Sequence, residues 1–202
     1  MVQAAYNSKR YGSGRWQSHV SLTYNGVSGM RYSLVMSEGV TSTFNGDYSP
    51  TSTSNQLLYI PTDAELDVME FSTKADRINF KRWIENNSYA RDHRGQYAPR
   101  NSNAAPWENQ FDLHFAQDFF YLKERGSKVT LVFDILNVAN LLNHHWGTSY
   151  SSALSQQILR VDQVKDDGAG NKYGVFSFAG QSPQINNMNS RWHMQLGLRV
   201  TF

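Results

Sequence analysis

The sequence predicts an all-β chain: a partial transmembrane antiparallel β-barrel of about seven strands, with a long outer loop that contains a short helix. Three observations predict it. The C-terminal residues alternate without a break between a polar and an apolar face from Arg191 to Phe202. Six other segments repeat that period less cleanly, and short and long polar links alternate between them. The composition is poor in charge and rich in aromatics. Asp, Glu, Lys and Arg make up 18% and Phe, Trp and Tyr 13% of the 202 residues, where ordinary soluble domains carry about 25% charged residues.

The first strand holds Trp16, Ser18, Val20, Leu22 and Tyr24 on one face and Gln17, His19, Ser21 and Thr23 on the other. Asn25-Gly26 then ends it with hairpin-turn chemistry. Met30, Tyr32, Leu34 and Met36 alternate with Arg31, Ser33 and Val35 in the second. Residues 37–106 form the long outer loop. A bare link of that size is suspect in a folded chain, and this one has internal structure. Thr62-Asp63-Ala64-Glu65 and Thr73-Lys74-Ala75-Asp76 read as helix N-caps with an acid at the third helical position. The second opens a helix to about Asn86, with Phe80, Trp83 and Ile84 on one face. The loop is expected to fold over the barrel mouth; the competing reading is a small α+β domain with that helix packed on a sheet.

Trp107, Asn109, Phe111, Leu113 and Phe115 alternate with Glu108, Gln110, Asp112 and His114, and the run continues to about Tyr121. Lys123 to Lys128 reads as a tight turn. Val129, Leu131, Phe133 and Ile135 then oppose Thr130, Val132, Asp134 and Leu136. Gln156–Val164 is a weaker strand, Asp166 to Asn171 its turn, and Tyr173–Phe178 a short strand of uncertain facing. The final strand, 190–202, places Trp192, Met194, Leu196 and Leu198 toward lipid. It places Arg191, His193 and Arg199 toward the lumen, with Asp112, His114 and Asp118 on the earlier strand. From Trp192 to Phe202 the strand is roughly 33 Å long. Tilted about 40°, it rises roughly 25 Å, the height of an outer-membrane apolar band.

Seven strands do not close a bacterial outer-membrane barrel, which has an even number, and a lipid-facing open sheet leaves unpaired edges. Either an eighth strand hides in Met1–Arg15, or the chain is the end of a larger barrel. The first ten residues carry no apolar signal-peptide core, which favours the second expectation. With 19 Lys and Arg against 17 Asp and Glu, charge gives no argument for a nucleic-acid partner. A mean hydropathy of −0.57 excludes a helical membrane protein. The absence of Cys excludes a disulfide scaffold or thiolate metal site.

The ending Gln195-Leu196-Gly197-Leu198-Arg199-Val200-Thr201-Phe202 matches the barrel assembly signal, carried by Gln195, Gly197, Val200 and the terminal aromatic Phe202. Internal phrases are more specific: Leu57-Leu58-Tyr59-Ile60-Pro61, the run Arg94 to Asn101, and Pro106 to Leu113. Ala116-Gln117-Asp118-Phe119, the run Phe133 to Asn143, Trp146-Gly147 and Ser190 to Gly197 follow in order. Together they resemble the C-terminal barrel segment of TonB-dependent outer-membrane receptors, in the Oar-like or SusC-like branch. The resemblance covers about Trp16 to Phe202. It implies the last third of a 22-stranded barrel in the cell outer membrane, with residues 1–202 as one part of one barrel domain. The plug and TonB-contacting segment have no counterpart in this chain. The implied partners are outer-membrane lipid, the upstream barrel and plug, TonB through the N-terminal part, and a surface lipoprotein. The implied role is energised uptake of an oligosaccharide, peptide or siderophore-like ligand. The rival expectations are a self-contained small barrel, acting as adhesin or hydrolase, and a soluble β-rich binding module.

No catalytic residue, cofactor or metal is expected. Asp112, His114 and Asp118 share a face, but no Gly-x-Ser-x-Gly elbow accompanies them. They read as polar lumen lining. The adjacent His144 and His145 point apart on an extended chain and chelate poorly. Asp166 to Asn171 lacks the terminal acid of a calcium loop. Asp134 and Asn137 read as structural, ordering the Asn140–Asn143 loop. Trp107, Trp146 and Trp192 read as interfacial anchors. Trp83, Tyr89, Arg91, His93 and Arg94 are positioned in the loop to meet a ligand, whose identity the residues do not give.

Overall fold

The computed structural model describes residues 1–38, 56–122, 127–151 and 153–202. Among these, the long strands are β1 (Val2–Asn7), β2 (Trp16–Val27), β3 (Arg31–Glu38), β4 (Glu108–Leu122), β5 (Ser127–Leu136), β6 (Ser155–Asp166), β7 (Lys172–Phe178) and β8 (His193–Thr201). The helices are α1 (Asp63–Val68), α2 (Lys74–Asn86), α3 (Ser88–Asp92), α4 (Val138–Leu142) and α5 (Asn187–Ser190). The chain divides into two compact units. The first holds Met1–Gly29, Pro106–Ser151 and Ile185–Phe202; the second holds Met30–Ala105 and Ser152–Gln184.

The first unit is a five-stranded antiparallel meander in the order β1-β2-β4-β5-β8. Its links run short, long, short, long: 8–15, 28–107, 123–126 and 137–192. Because side chains alternate across a strand, the register assembles one apolar face from all five strands. One row reads Tyr6, Val20, Phe115, Phe133, Leu196, and the next Ala4, Leu22, Leu113, Ile135, Met194. This face is the exposed one: Leu196 is 70% and Leu198 69% accessible, while Asp118 on the opposite face is 1% accessible. A soluble sheet buries its apolar face and wets the other; here the apolar side stands open at β8 while a carboxylate is enclosed on the polar side. Polar residues on the apolar face are satisfied locally, Asn109 by the Tyr24 hydroxyl at 2.7 Å and Ser18 and Gln117 by each other. Ser18 Oγ and Tyr11 Oη donate to Gln117 Oε1 at 2.6 and 3.0 Å, and Gln117 Nε2 donates to the carbonyls of Gln17 and Asp118.

Several sequence expectations are corrected here. The mostly β, antiparallel character holds, but the long strands divide between two sheets and do not form one seven-stranded wall. An eighth long strand, β1, lies within Met1–Arg15; it joins the first sheet without closing it. Asn25-Gly26 is not a turn. The β2–β4 ladder continues through both, to Val27 opposite Glu108. Gly26 is needed for ring packing instead: a Cβ there would sit 2.4 Å from Tyr24 Oη and 3.2 Å from Trp107 Nε1. The last strand begins at His193, not at residue 190. Asn186 caps α5 by accepting from the Met188 and Asn189 N–H groups, and buried Ser190 bonds to Asn186 and Ser149. These bonds hold the backbone short of the ladder, so Arg191 and Trp192 precede the strand.

The second unit has its own core, which is what the α+β alternative for the long loop expected. Strand β3 runs parallel to β6, β6 pairs antiparallel with β7, and Glu70–Phe71 lies parallel to β7. Leu34 and Val35, successive residues on opposite faces of β3, are both buried. The strand is therefore covered on both sides, and its alternation does not separate a wet face from an apolar one. Both sequence-predicted caps are present. Thr62 and Glu65 form a reciprocal capping box on α1, and Thr73 Oγ1 accepts from the Asp76 N–H at the start of α2. Phe80 and Ile84, fully buried, pack with Leu58, Ile60, Leu66, Ile158 and Leu159. The Phe80 ring lies 6.0 to 6.3 Å from Trp83, Phe71 and Phe178. Asp167 folds the β6–β7 turn by accepting from the Ala169 and Asn171 N–H groups, as the Asp166–Asn171 turn expectation required. Residues 39–55 of the expected outer loop and 123–126 of the expected Lys123–Lys128 turn lie outside the described residues; Ser127 and Lys128 belong to β5.

Phe80→Ala is expected to destabilise the second unit by about 3–5 kcal/mol, read as loss of hydrogen-exchange protection in α2 and β6. The donors around Glu65 hold its carboxyl below the usual range, led by the Thr62 N–H and followed by the Tyr59 hydroxyl. A carboxyl lowered in the folded state contributes stability above its unfolded value, and that contribution disappears as pH falls through the folded value. Protection of α1 is therefore expected to fall below about pH 4, and Glu65→Gln is expected to remove the acid dependence.

Candidate functional site

The polar face of the first unit gathers charge where the strands would otherwise repel it. Asp118 on β4 is filled from two neighbouring strands. Lys128 Nζ lies 2.5 Å from Oδ2, Thr130 Oγ1 donates to Oδ1 at 2.6 Å, and His19 Nε2 lies 3.2 Å from Oδ2. The other ring nitrogen of His19 lies 2.7 Å from Asn7 Oδ1 on β1. The network so spans β1, β2, β4 and β5. Beside it, His114 Nδ1 and Asp134 Oδ1 are 2.5 Å apart. Asn7, His19, His114, Asp118, Lys128 and Thr130 line a cleft of about 350 Å³ that also takes in Ser21 and Arg199. The residues can bind a polar surface or ligand. The three residues singled out by the sequence do not pair with one another: Asp112, His114 and Asp118 each face a different partner. Asp112 Oδ1 accepts from the Asn137 N–H at 2.8 Å.

That last bond belongs to a second constellation, at the end of the sheet with the long links. Asn137 terminates β5 in the left-handed conformation, φ 55° and ψ 49°, which Asn tolerates better than most side chains. Its Nδ2 donates to the carbonyls of Gly147 and Ser190, each at 2.8 Å. Gly147 has φ +62°, and a Cβ there would lie 1.9 Å from Asn137 Oδ1. Asn140 Nδ2 closes the same loop on the carbonyls of His144 and Trp146. The structural role expected for Asn137 is thus given its partners. Trp107 and Trp146, both more than half exposed, line one cleft of about 250 Å³ with Phe111 and Asn109; Trp192 is not part of its lining.

The expected lumen residues Asp112, His114, Asp118 and Arg199 lie on the polar face, and His193 follows the same alternation opposite Leu136. Met194, Leu196 and Leu198 lie on the apolar face. Of the assembly-signal residues, Gln195 and Gly197 fall on the polar face and Val200 on the apolar one, with Phe202 just beyond the strand. Strand β8 is at the edge of its sheet. The loop residues expected at a ligand are mostly engaged within the second unit. Trp83 stacks on Phe80, Tyr89 on His93 at 4.1 Å, and Arg94 Nη1 bonds Asp63 Oδ1 at 2.8 Å. His144 and His145 do not point apart as expected: their ring centroids are 3.8 Å from each other. No group of three or more His, Cys, Asp or Glu able to hold a metal occurs among the described residues. Sequence reasoning missed Lys128 by placing it in a turn. The signal was available: Lys128, Thr130, Val132 and Asp134 continue a single period-2 series.

Asp118→Ala is expected to cost about 3–5 kcal/mol of stability by leaving Lys128 without its counter-charge. Asn137→Ala is expected to cost about 2–4 kcal/mol, since two carbonyls lose their donors and Ala is strained at positive φ. Denaturant unfolding of the chain in neutral detergent checks both. Comparison with protein-family models, with curated proteins and with solved structures finds no match.

Proposed function

We propose that this chain is the C-terminal barrel portion of a TonB-dependent outer-membrane receptor of the Oar-like or SusC-like branch. It serves energised uptake of an oligosaccharide, peptide or siderophore-like ligand, and has no catalytic role. The observation that carries the reading is the open apolar face of the first sheet: leucines exposed on one side, a charged network around a buried carboxylate on the other. Such a sheet is unfavourable in water and suits a bilayer, where lipid covers the apolar face and the polar face lines a lumen. Aromatic residues stand at both ends of the apolar face, Trp16 and Phe119 at the tight-link end and Phe111 and Trp107 at the other. Phe111 and Phe119, eight residues apart, are separated by about 26 Å along the strand, or about 20 Å in height at roughly 40° tilt. That lies within the roughly 25 Å band.

Two free edges, β1 and β8, flank the five strands. A bilayer does not tolerate open edges, so further strands complete the wall. In an antiparallel meander of five, the first and last strands run the same way. An all-antiparallel closure then takes an odd number of additional strands. Closure of the sheet on itself would need a parallel junction, and so would closure on one copy inserted in the same sense. This favours the upstream part of the same receptor over a self-contained small barrel. Within this reading the plug meets the polar face, TonB acts through the N-terminal part, and a surface lipoprotein caps the mouth.

Leu196→Arg is expected to abolish outer-membrane assembly, at about 2–4 kcal/mol per charge near the midplane. Gln195→Arg, on the other face, is expected to assemble. Equal assembly of the two variants in fractionated cells would refute a lipid-facing β8.

A further inference from the structure

The second unit contains a cleft of about 310 Å³ with apolar walls and a single carboxylate among its lining residues. Met36, Met69 and Phe176 are among its apolar lining; Tyr59, Tyr97 and Glu65 line it together, the Tyr59 side chain touching both others. That volume is at the lower end of small-ligand sites. The two tyrosine rings meet edge to face, with centroids 5.1 Å apart. The Glu65 carboxylate is fixed by three donors: the Tyr59 hydroxyl at 2.8 Å, the Thr62 N–H at 2.8 Å and the Thr62 hydroxyl at 2.8 Å. An ionised carboxylate has roughly four acceptor positions, so one remains for a visitor. The neighbouring cations are committed elsewhere. Arg94 pairs with Asp63 and Arg77 with Asp67. Among the described residues, none makes an ion pair with Glu65. The negative charge at the cleft is therefore held in place and left without a counter-charge.

We propose that this cleft is a binding site for a small apolar cation, a protonated amine on an aromatic or branched apolar body. The ammonium group binds Glu65 and lies against the Tyr59 and Tyr97 rings, where ring quadrupoles attract cations. The two methionines and Phe176 receive the apolar body, and their thioethers adapt to its shape. An anion of the same shape is repelled by Glu65, and a neutral polar ligand gains too little from the apolar walls to offset its desolvation. Glu65 also caps α1, which ties the site to a helix end and fixes the carboxylate before a ligand arrives. The inference goes beyond the transport reading and does not depend on it.

The test is titration of the full chain in neutral detergent with 2-phenylethylamine at pH 7, followed through the methionine methyl signals by NMR. Saturable shifts at Met36 and Met69 are expected, with no comparable binding of 3-phenylpropionate. Glu65→Gln keeps an acceptor at the capping position and is expected to weaken binding about tenfold or more. Tyr97→Ala, at an exposed rim position, is expected to weaken it several-fold. Absence of saturable binding would overturn the proposal. So would equal binding of the amine and the carboxylate, or unchanged affinity in Glu65→Gln while α1 stays folded.

Discussion

A carboxylate that is 1% exposed persists only if its oxygens are filled, and Asp118 is filled by Lys128, Thr130 and His19. The first sheet depends on this. The ligands of Asp118 come from the strands on either side of it, and His19 extends the network to Asn7 on a further strand. A one-residue slip of β4 against β5 would turn Asp118 to the apolar face and strand Lys128 without its partner. The polar face thus supplies register through charge pairing, which is directional. The apolar face, built of interchangeable aliphatic and aromatic side chains, specifies register weakly. Because the pairing must be complete to be tolerated, the same bonds that hold the strands also set which face can be apolar.

The consequence is a sheet whose apolar side needs a covering that the unit does not itself provide. Leu196 and Leu198 stand exposed beside a free edge. Even polar residues on that side close their hydrogen bonds within it, Ser18 and Gln117 on each other and on Tyr11, and Asn109 on Tyr24. Such closure matters little in water and a great deal in hydrocarbon, where an unpaired polar group costs several kcal/mol. At the end with the long links, Asn137 performs the corresponding task for the backbone. It satisfies carbonyls of Gly147 and Ser190 that irregular chain would otherwise leave buried without donors.

The second unit obeys the ordinary rule. Phe80 and Ile84 enter a core with Leu34, Ile158 and Leu159, and polar residues stay at the caps and turns. The two units solve the hydrophobic problem in opposite ways, one by turning apolar side chains inward and the other by turning them outward. Composition averaged over the chain, 40% hydrophobic residues, conceals this difference.

Local chemistry in the sequence determined several features by itself. Period-2 alternation located β2, β4, β5 and most of β8, because the facing of a strand side chain depends only on its position along the strand. The Thr62 and Thr73 caps and the Phe80–Trp83–Ile84 face were legible because capping and helical spacing act within four residues. Tertiary structure alone decided the rest. Asn25-Gly26 carries turn chemistry, yet twelve ladder positions with β4 and the packing of Tyr24 and Trp107 over Gly26 override it. The alternation of β3 looks like that of a wall strand, but a strand covered on both faces by distant residues can show the same pattern by coincidence. Residues 1–15 show no clear alternation, and β1 forms there because β2 offers a free edge. The partners of Asp118 lie 10 to 99 positions away in the chain. No local signal specifies which strand will lie beside which; that choice follows from long-range register, where charge pairing and ring packing are settled together.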